Sequence, residues 1–478
     1  MKSTPLHVPL IVFALLALSA CAVGPDYQRP DVATPAQFRQ VEGWKPAAPG
    51  DALERGAWWE LYGDPQLNAL VAQLNVSNQN LAAAEAQYRQ ARALVGGSRA
   101  AFFPSLSAGA GVTRAATGSR TTQTGGTPVS AGPGEVFDAN LGLNWELDLW
   151  GRLRRGLEAS RASAEASQAD LAAAQLSLQT ELVQNYLQLR VLDEQKRLLD
   201  ATVAAYQRSL RLTENQYRAG IVPKSDVSQA LTQLKSTQAQ AVDLEWQRAQ
   251  LEHAIAVLTG APPSGFVIAV GETVPPLPAI PPALPSQLLE RRPDIASAER
   301  SVMAANAQIG VAKSAWFPDL SLSASGGYRG TGFGDLISSP NRYWSLGPAL
   351  AMQVFDGGAR RAELSRSEAA HEQTVAQYRQ TVLTALREVE DALVQLWVFE
   401  REQQLQQEAL AAARESLRLI ENQYRAGTVD FNSVVSVQAS ALNNERANLT
   451  LLGSRLAASV RLIAALGGGW DSAQLARE

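Results

Sequence analysis

The sequence contains very few of the residues that build disulfide scaffolds and metal sites. Among its 478 residues there are one cysteine and three histidines, and this count excludes a disulfide framework and a Cys/His metal site. The histidines lie apart at His7, His253 and His371, and the chain has no Ser/His/Asp pattern and no Gly-rich phosphate loop followed by lysine. We therefore expect no catalytic residues, no metal and no cofactor.

The chain also lacks an excess of basic residues. It has 42 Lys and Arg against 46 Asp and Glu, a net charge of −4 and a pI near 5.7. Because no basic face stands out, a nucleic-acid partner is not expected. Ala, Gln, Leu, Arg and Glu instead dominate the C-terminal two thirds, a composition typical of long coiled helices.

Long apolar runs are missing as well. The apolar stretch from Leu10 to Leu18 is too short for a spanning helix, and Lys2 precedes it, so residues 1–20 are predicted to be a secretory signal peptide. Its end, Leu-Ser-Ala-Cys, resembles a bacterial lipobox, which implies cleavage before Cys21 and acylation, including palmitate, at that residue. The alternative is a plain signal with a chance cysteine. By resemblance to lipoprotein sorting in Gram-negative bacteria, Ala22 after the cysteine indicates the outer membrane.

The chain contains an internal repeat. The nine residues Leu212 to Gly220 return at Leu419 to Gly427 with eight identities, 207 positions later. We interpret both stretches as tips of helical hairpins in two copies of one unit. The predicted organisation is a signal peptide at 1–20, a lipidated strap at 21–65, a first repeat at 66–260, a Pro-rich linker at 261–290, a second repeat at 291–466 and a tail at 467–478.

Within each repeat, two strands are predicted ahead of the hairpin. In the clearest, from Phe137 to Leu149, seven apolar positions alternate with six polar or glycine ones. A soluble sandwich strand is usually shorter, whereas a membrane barrel strand needs about 9–11 residues, apolar outward and polar inward. Similar strands are predicted at 105–112, 320–328 and 344–355, so each chain has four candidate membrane strands.

The hairpins themselves are predicted to be very long. Between Gly151 and Pro223 there is no proline, and leucines recur at the 3.5 to 3.6 residue spacing of packed helices. Roughly 70 residues in such a helix span about 100 Å. Gly220 is expected to end the helix in a left-handed conformation, and a second helix returns from Asp226 to Thr259.

Four strands cannot close a membrane barrel alone. Small closed barrels need about eight strands, and an open sheet edge cannot stand in lipid. Other copies of the chain must therefore complete the barrel, either two copies with a filled bore or three with room for a passage. The polar inner faces favour three.

Four motifs in this order resemble one family. They are Ala22 to Tyr27 after the lipobox, Arg291-Arg292-Pro293-Asp294, the paired Phe-Pro strand starts and the paired Tyr-Arg-Ala-Gly tips. Together they resemble the OprM/NodT-type lipoproteins of the TolC-like outer-membrane efflux channels. The resemblance implies a mixed α/β membrane protein, a homotrimer with a twelve-stranded outer-membrane β-barrel continuous with a long periplasmic α-helical barrel. It also implies a periplasmic adaptor (membrane fusion) protein and an inner-membrane pump of the resistance-nodulation-division (RND) type.

The resemblance further implies a gate at the hairpin tips. Asp226 and Tyr424 match family residues that link neighbouring hairpins, and we expect a charge-assisted hydrogen bond between them. The alternative is that Asp226 only caps the returning helix. The tips, Arg218-Ala219-Gly220 and Arg425-Ala426-Gly427, are expected to receive the adaptor.

One departure from the family concerns charge at the gate. Ser433 and Ser436 stand where family members often place acids that constrict the pore, and Asp430 lies nearby at the turn. Our hypothesis is that an acidic ring holds this gate only weakly.

Two other functions remain open at this point. A non-conducting lipid-anchored tether explains the helices and Cys21 but leaves the doubled thirteen-residue amphipathic strand without a role. A type I secretion conduit for proteins explains the channel, although the lipobox and the Arg-Arg-Pro-Asp motif favour small-molecule efflux.

Overall fold

The computed structural model describes residues 22–32, 57–116, 133–278 and 291–472. The predicted signal peptide and Cys21 lie outside these ranges. The chain forms two compact units, the first made of Met1–Pro30, Tyr88–Ala166 and Ala298–Tyr378, the second of the remaining segments. No helix within the described ranges combines the length and apolar composition needed to cross a membrane.

The first unit contains a four-stranded antiparallel sheet in the order β1-β2-β3-β4. Strands from the two repeats meet at the β2–β3 pair, in the middle of the sheet. Within the described chain, β1 and β4 each pair on one side only. The strands span Ser105–Ala115 (β1), Gly134–Leu147 (β2), Asp319–Gly330 (β3) and Arg342–Ala351 (β4).

The two faces of the sheet differ as the alternation predicts. On one face the apolar side chains are exposed or half-buried, and Leu141 and Trp344 are 56% and 76% exposed. The other face carries mainly serine, glycine and asparagine, as where Asn144 lies opposite Ser105 and Ser323. Four amphipathic strands are thus confirmed.

The strand ends differ from the predicted ones by a few residues. β2 begins at Gly134 and ends at Leu147, because its partners on β1 and β3 set the limits of the ladder. β4 ends at Ala351, four residues before the predicted end. It contains Pro348, which lacks a backbone donor and lies opposite Leu322 of β3.

Seven α-helices are present in the described ranges. The two long helices have 67 residues each and the two returning helices have 35 each. At 1.5 Å per residue each long helix measures about 100 Å, as predicted. The helices are Pro65–Ser77 (α1), Gln79–Ala100 (α2), Arg152–Arg218 (α3), Lys224–Leu258 (α4), Pro293–Ser314 (α5), Ala359–Arg425 (α6) and Phe431–Ala465 (α7).

The helical segment at the start of the first repeat is broken at Asn78, between α1 and α2. Asn78 has an extended backbone with ψ of 125°. Its side-chain oxygen accepts a hydrogen bond from Leu81 N at 2.9 Å, and its amide nitrogen donates to Leu258 O at 2.7 Å. Asparagine favours helix starts for this reason, since its oxygen satisfies an unpaired helical N–H.

The second unit is held by a core along the predicted helical seam. On α3, Leu182 and Leu189 are fully buried, and Leu192 and Leu199 continue the stripe. A main cluster brings α3 together with α1, α4 and α7 around buried Trp58. Fully burying one such leucine stabilises a fold by about 1.5–3 kcal/mol, so the seam accounts for the long helices better than intrinsic propensity does.

The described part of the Pro-rich linker crosses the second unit in irregular form. It contains one 3-10 turn, at Pro263–Gly265. Gly271 N donates to Asp193 Oδ2 at 3.0 Å, and Arg190 Nη1 donates to Ala269 O at 2.8 Å. Asp193 and Arg190 also bind each other and are almost fully buried, so paired charges hold the linker against α3.

Candidate gate at the hairpin tips

Both tips end their long helix in the same way. Gly220 has φ of +74° and Gly427 has φ of +72°. Ile221 N donates to Gln216 O at 2.9 Å, and Thr428 N donates to Gln423 O at 3.0 Å. This is the Schellman arrangement, in which glycine takes the left-handed position at low cost.

Tyr424 on α6 contacts the first hairpin near its tip. Its hydroxyl donates a hydrogen bond to Gln216 Oε1 at 2.9 Å. Its ring centroid lies 5.6 Å from that of Phe431, which is buried with Ala230 of α4 and Val434 of α7. Burial raises the pKa of the Tyr424 phenol, and it outweighs the lowering by the nearby Thr213 hydroxyl; the negative charge of Asp226 adds a smaller increase.

The bond expected between Tyr424 and Asp226 is not formed within one chain. The Asp226 carboxylate accepts from Ser225 Oγ at 3.2 Å, while the Tyr424 hydroxyl reaches the amide oxygen of Gln216. Asp226 lies in the first turn of α4, after Pro223, and that helix start has no side-chain cap. The capping alternative is therefore not observed either, because Asp226 lies inside the helix and not at its cap position.

Asp430 is the residue that caps a returning helix. Its backbone is extended, and its Oδ1 accepts from Ser433 N at 2.9 Å and from Ser433 Oγ at 2.6 Å. These bonds from Ser433 lower the pKa of the Asp430 carboxyl. Ser433 is half-buried, and Ser436 is exposed one turn further along α7.

Two neutral amides form a hydrogen bond between the returning helices near the tips. Gln229 Nε2 on α4 donates to Asn432 Oδ1 on α7. Residue-by-residue reasoning missed Gln216, Gln229 and Asn432. Gln216 belongs to the repeated nonapeptide, which is the one signal that could have drawn attention to it. The polar contacts described between the two hairpins at the tips thus use hydroxyl and amide groups.

The expected docking residues are exposed. Arg218 and Arg425 have 71% and 65% of their side chains exposed, and each pairs loosely with a glutamate one turn earlier on its own helix. Ala219 and Ala426 are exposed beside them, next to Gly220 and Gly427. Both tips therefore present small residues flanked by a positive charge.

A family profile decides the identity of the chain. The profile described as "Outer membrane efflux protein" matches residues 70–261 and 284–468, well over half of the sequence. The chain belongs to the outer membrane efflux protein family. Among described residues of this efflux protein, no group of three or more His, Cys, Asp or Glu is placed to hold a metal ion.

Individual relatives agree along nearly the whole chain. Pyoverdine export outer membrane protein OpmQ of Pseudomonas aeruginosa is 33% identical, over 97% of this chain and 97% of OpmQ. The probable outer membrane lipoprotein SilC of Salmonella typhimurium is 30% identical, over 96% of this chain and 98% of SilC. The solved outer-membrane channel OprN superposes with a TM-score of 0.86 at 33% identity, over 94% of this chain and 100% of that one.

These relationships establish the role and location of the efflux protein. It is an outer-membrane channel component of an efflux system in a Gram-negative bacterium. The chain contributes four amphipathic strands and two long helical hairpins to this channel.

In the Arg-Arg-Pro-Asp motif of the efflux protein, Arg292 binds groups on three helices. Arg292 Nη2 donates to Asp294 at 2.7 Å, while its Nη1 donates to Glu388 at 2.8 Å and to Ala465 O at 3.1 Å. Burial lowers the pKa of Arg292, but the hydrogen bonds to Asp294 and the charge of Glu388 outweigh it, so the pKa is raised overall. Arg292 therefore joins the start of α5 to α6 and to the end of α7.

Proposed function

We propose that three copies of this chain form a twelve-stranded barrel in the outer membrane, continuous with a periplasmic barrel of helices, each chain carrying a structural duplication. Three observations support this. The sheet has two edge strands without a second partner among the described residues, and its apolar face is exposed. The equal lengths of the long and returning helices support the duplication. Open edges are excluded from lipid, so other copies must complete the barrel.

The assembled channel is a passive conduit without a catalytic step. An inner-membrane pump of the RND type supplies the energy and selects the cargo, and a periplasmic adaptor connects that pump to the tips at Arg218-Ala219-Gly220 and Arg425-Ala426-Gly427. The exposure of both arginines supports docking there. The cargo class is small molecules, since OpmQ is named for export of pyoverdine.

Acyl chains on Cys21 add an anchor in the outer membrane. SilC, which matches this chain along nearly all of its length, is named a probable lipoprotein. The residues that follow Cys21 are seated on the first unit, where Val23 N donates to Trp150 O at 3.0 Å and Asp26 pairs with Arg155 at 2.8 Å. Each buried CH₂ of an acyl chain contributes about 0.8 kcal/mol to membrane binding.

The hairpin tips form the gate, and neutral groups close it. Tyr424 with Gln216 and Gln229 with Asn432 link the two hairpins of one chain. Asp226 contributes negative charge beside Tyr424 and remains available for a link to a neighbouring copy. Ser433 and Ser436 place no charge at the pore, and Asp430 is engaged as a helix cap, which supports weak cation preference at this end.

Single-channel conductance in a planar bilayer tests the proposal. The purified acylated protein should give uniform current steps, and an Asp226→Ala/Tyr424→Phe double variant should open more often. An Asp430→Asn variant should keep the ion selectivity of the parent channel. A strong change in selectivity would instead identify Asp430 as the residue that selects ions by charge.

If correctly inserted protein gave no current in the bilayer, the conduit would be contradicted and the lipid-anchored tether favoured. For the cargo, a deletion strain should become more sensitive to drugs, dyes, solvents or metal ions from a panel. Loss of secretion of a protein, with unchanged sensitivity to the whole panel, would favour the type I secretion conduit.

A further inference from the structure

The polar face of the sheet is lined by small side chains along most of its length. Opposite Asn140, Gly142 and Asn144 on β2, the partners on β1 and β3 are only serine and glycine. One row departs from this pattern. It contains Asp138 of β2 and Arg329 of β3, which lie directly opposite each other. Tyr343 of β4 lies opposite Gly327 in the next row, on the same face of the sheet.

The side chains of Asp138, Arg329 and Tyr343 contact one another. Arg329 Nε donates to Asp138 Oδ2 at 3.0 Å, and the Tyr343 hydroxyl donates to the same oxygen at 3.3 Å. The Arg329 guanidinium also lies over the Tyr343 ring, with its central carbon 5.3 Å from the ring centroid. A cation over an aromatic face is attracted by the ring quadrupole, so carboxylate and ring together fix the position of the arginine.

The row lies at the end of the sheet that is remote from the helices. β1 starts five residues after α2 ends, and β2 ends five residues before α3 starts, so the helices join the opposite strand ends. The ends near Asp138 and Arg329 are joined by the connections at residues 116–133 and 331–341. With the helices in the periplasm, this row faces the outside of the cell.

We propose that Asp138, Arg329 and Tyr343 form a charge-balanced constriction at the outer mouth of the channel, and that this balance keeps the mouth from favouring either small cations or small anions. The inference rests on the proposed trimeric conduit, in which three copies bring three carboxylates and three guanidiniums to one ring. Rings of charged side chains select ions by sign. Because each Asp138 is matched by an Arg329, the intact ring has no net charge, and losing either partner uncovers the other.

The chain contains a matched control at the same end of the sheet. Arg114 of β1 and Glu135 of β2 are directly opposite each other and form an ion pair of 3.8 Å. They point to the other face, because Glu135 lies an odd number of residues from Asp138 and side chains alternate along a strand. Arg114→Gln removes the same charge as Arg329→Gln, at a similar level, on the lipid side of the wall.

The experiment measures reversal potentials of single channels in a KCl gradient across a planar bilayer. Relative to the parent channel, Arg329→Gln should shift the reversal potential towards cation preference, and Asp138→Asn should shift it towards anion preference. The double variant and Arg114→Gln should both match the parent. Unchanged reversal potentials in both single variants would overturn the constriction, and so would an equal shift in Arg114→Gln.

Thiol labelling gives the same answer in a channel that is already folded and inserted. Cys21 is the one native cysteine and is taken up by acylation in the proposed form. In an Arg329→Cys channel, a cationic methanethiosulfonate reagent should restore the parent reversal potential, and an anionic reagent should increase cation preference. Arg114→Cys should respond to neither. Equal responses to both reagents at position 329 would refute the proposal, whereas absence of any current would refute the conduit itself.

Discussion

The hydroxyl of Tyr424 donates to the amide oxygen of Gln216, and this bond joins the two hairpins close to their tips. The two residues belong to the two copies of one nonapeptide, yet they are not equivalent positions in it. Tyr217 is the counterpart of Tyr424 in the first copy, and its hydroxyl has no hydrogen bond within the described part of the chain. Identical sequences at the two tips therefore perform different tasks.

Replacing Tyr424 with phenylalanine should make the channel open more often. The change removes one neutral hydrogen bond, which contributes about 1 kcal/mol and corresponds to about a fivefold shift in a two-state equilibrium. Open probability in single-channel records measures the effect. Tyr217→Phe is the matched control and should behave as the parent; equal activation by both variants would contradict a specific role for Tyr424.

Protonation of Asp430 should loosen the start of α7 in acid. Bonds from Ser433 Oγ and Ser433 N lower the pKa of the Asp430 carboxyl. Because the pKa of Asp430 is lower in the folded chain than in the unfolded one, its capping contribution is complete above the unfolded-state pKa of about 3.9. That contribution is lost as the pH falls through the folded-state pKa. Hydrogen exchange of the Ser433 amide over a pH series, corrected for intrinsic exchange, should show falling protection there.

The control for this effect is Asp430→Asn, because asparagine caps helices as well as aspartate but does not titrate in this range. Protection of the Ser433 amide in this variant should be independent of pH between 3 and 5 (roughly the aspartate range). The same acid-induced loss in both proteins would assign it to another group.

A negative charge at either tip should block export without preventing assembly. Gly220 and Gly427 have positive φ, a conformation that asparagine and aspartate tolerate better than other non-glycine residues. We expect Gly220→Asp or Gly427→Asp to abolish drug resistance in cells, with the trimer and membrane insertion intact. Asparagine at the same position adds nearly the same volume without charge and should retain most of the resistance. Full resistance in both aspartate variants would contradict adaptor docking at the tips.

Removing the Arg292 side chain should destabilise the second unit. Its guanidinium binds Asp294, Glu388 and the carbonyl of Ala465, and only 10% of the side chain is exposed. Hydrogen bonds to charged groups contribute about 1.5–3 kcal/mol each, and part of this is lost to solvent at the two half-exposed carboxylates. Thermal denaturation of Arg292→Ala should occur at a clearly lower temperature than that of the exposed neighbour variant Arg291→Ala. Equal denaturation temperatures for the two variants would show that the Arg292 side chain does not stabilise the second unit.

The periodic parts of the fold could be predicted from sequence because they depend on spacing alone. The alternation around Trp145 indicated a strand, and the spacing of Leu182 and Leu189 indicated the buried seam of α3. The break at Asn78 could not be predicted, since the decisive partner, Leu258 O, is 180 positions away. The strand limits also depended on remote partners, as the register of β2 with β3 shows.

The candidate gate was predictable in place but not in detail. The repeated nonapeptide located both tips, and the glycines indicated how the helices end. The partner of Tyr424 depends on which side chain of the other hairpin faces its hydroxyl, and no periodicity within one helix contains that information. The sequence favoured Asp226 as the partner because of its charge. In the structure the Tyr424 hydroxyl instead donates to Gln216.

The matched helix lengths, 67 and 67, then 35 and 35, restrict how such a chain can change during evolution. A heptad inserted into α3 alone would preserve its apolar seam but lengthen that hairpin by about 10 Å, which is two helical turns. The contacts of Tyr424 with Gln216 and of Gln229 with Asn432 would then lose their alignment together. A lineage that needs to bridge a wider periplasm must therefore acquire insertions of matching length in both helices of each hairpin, in both halves of the gene.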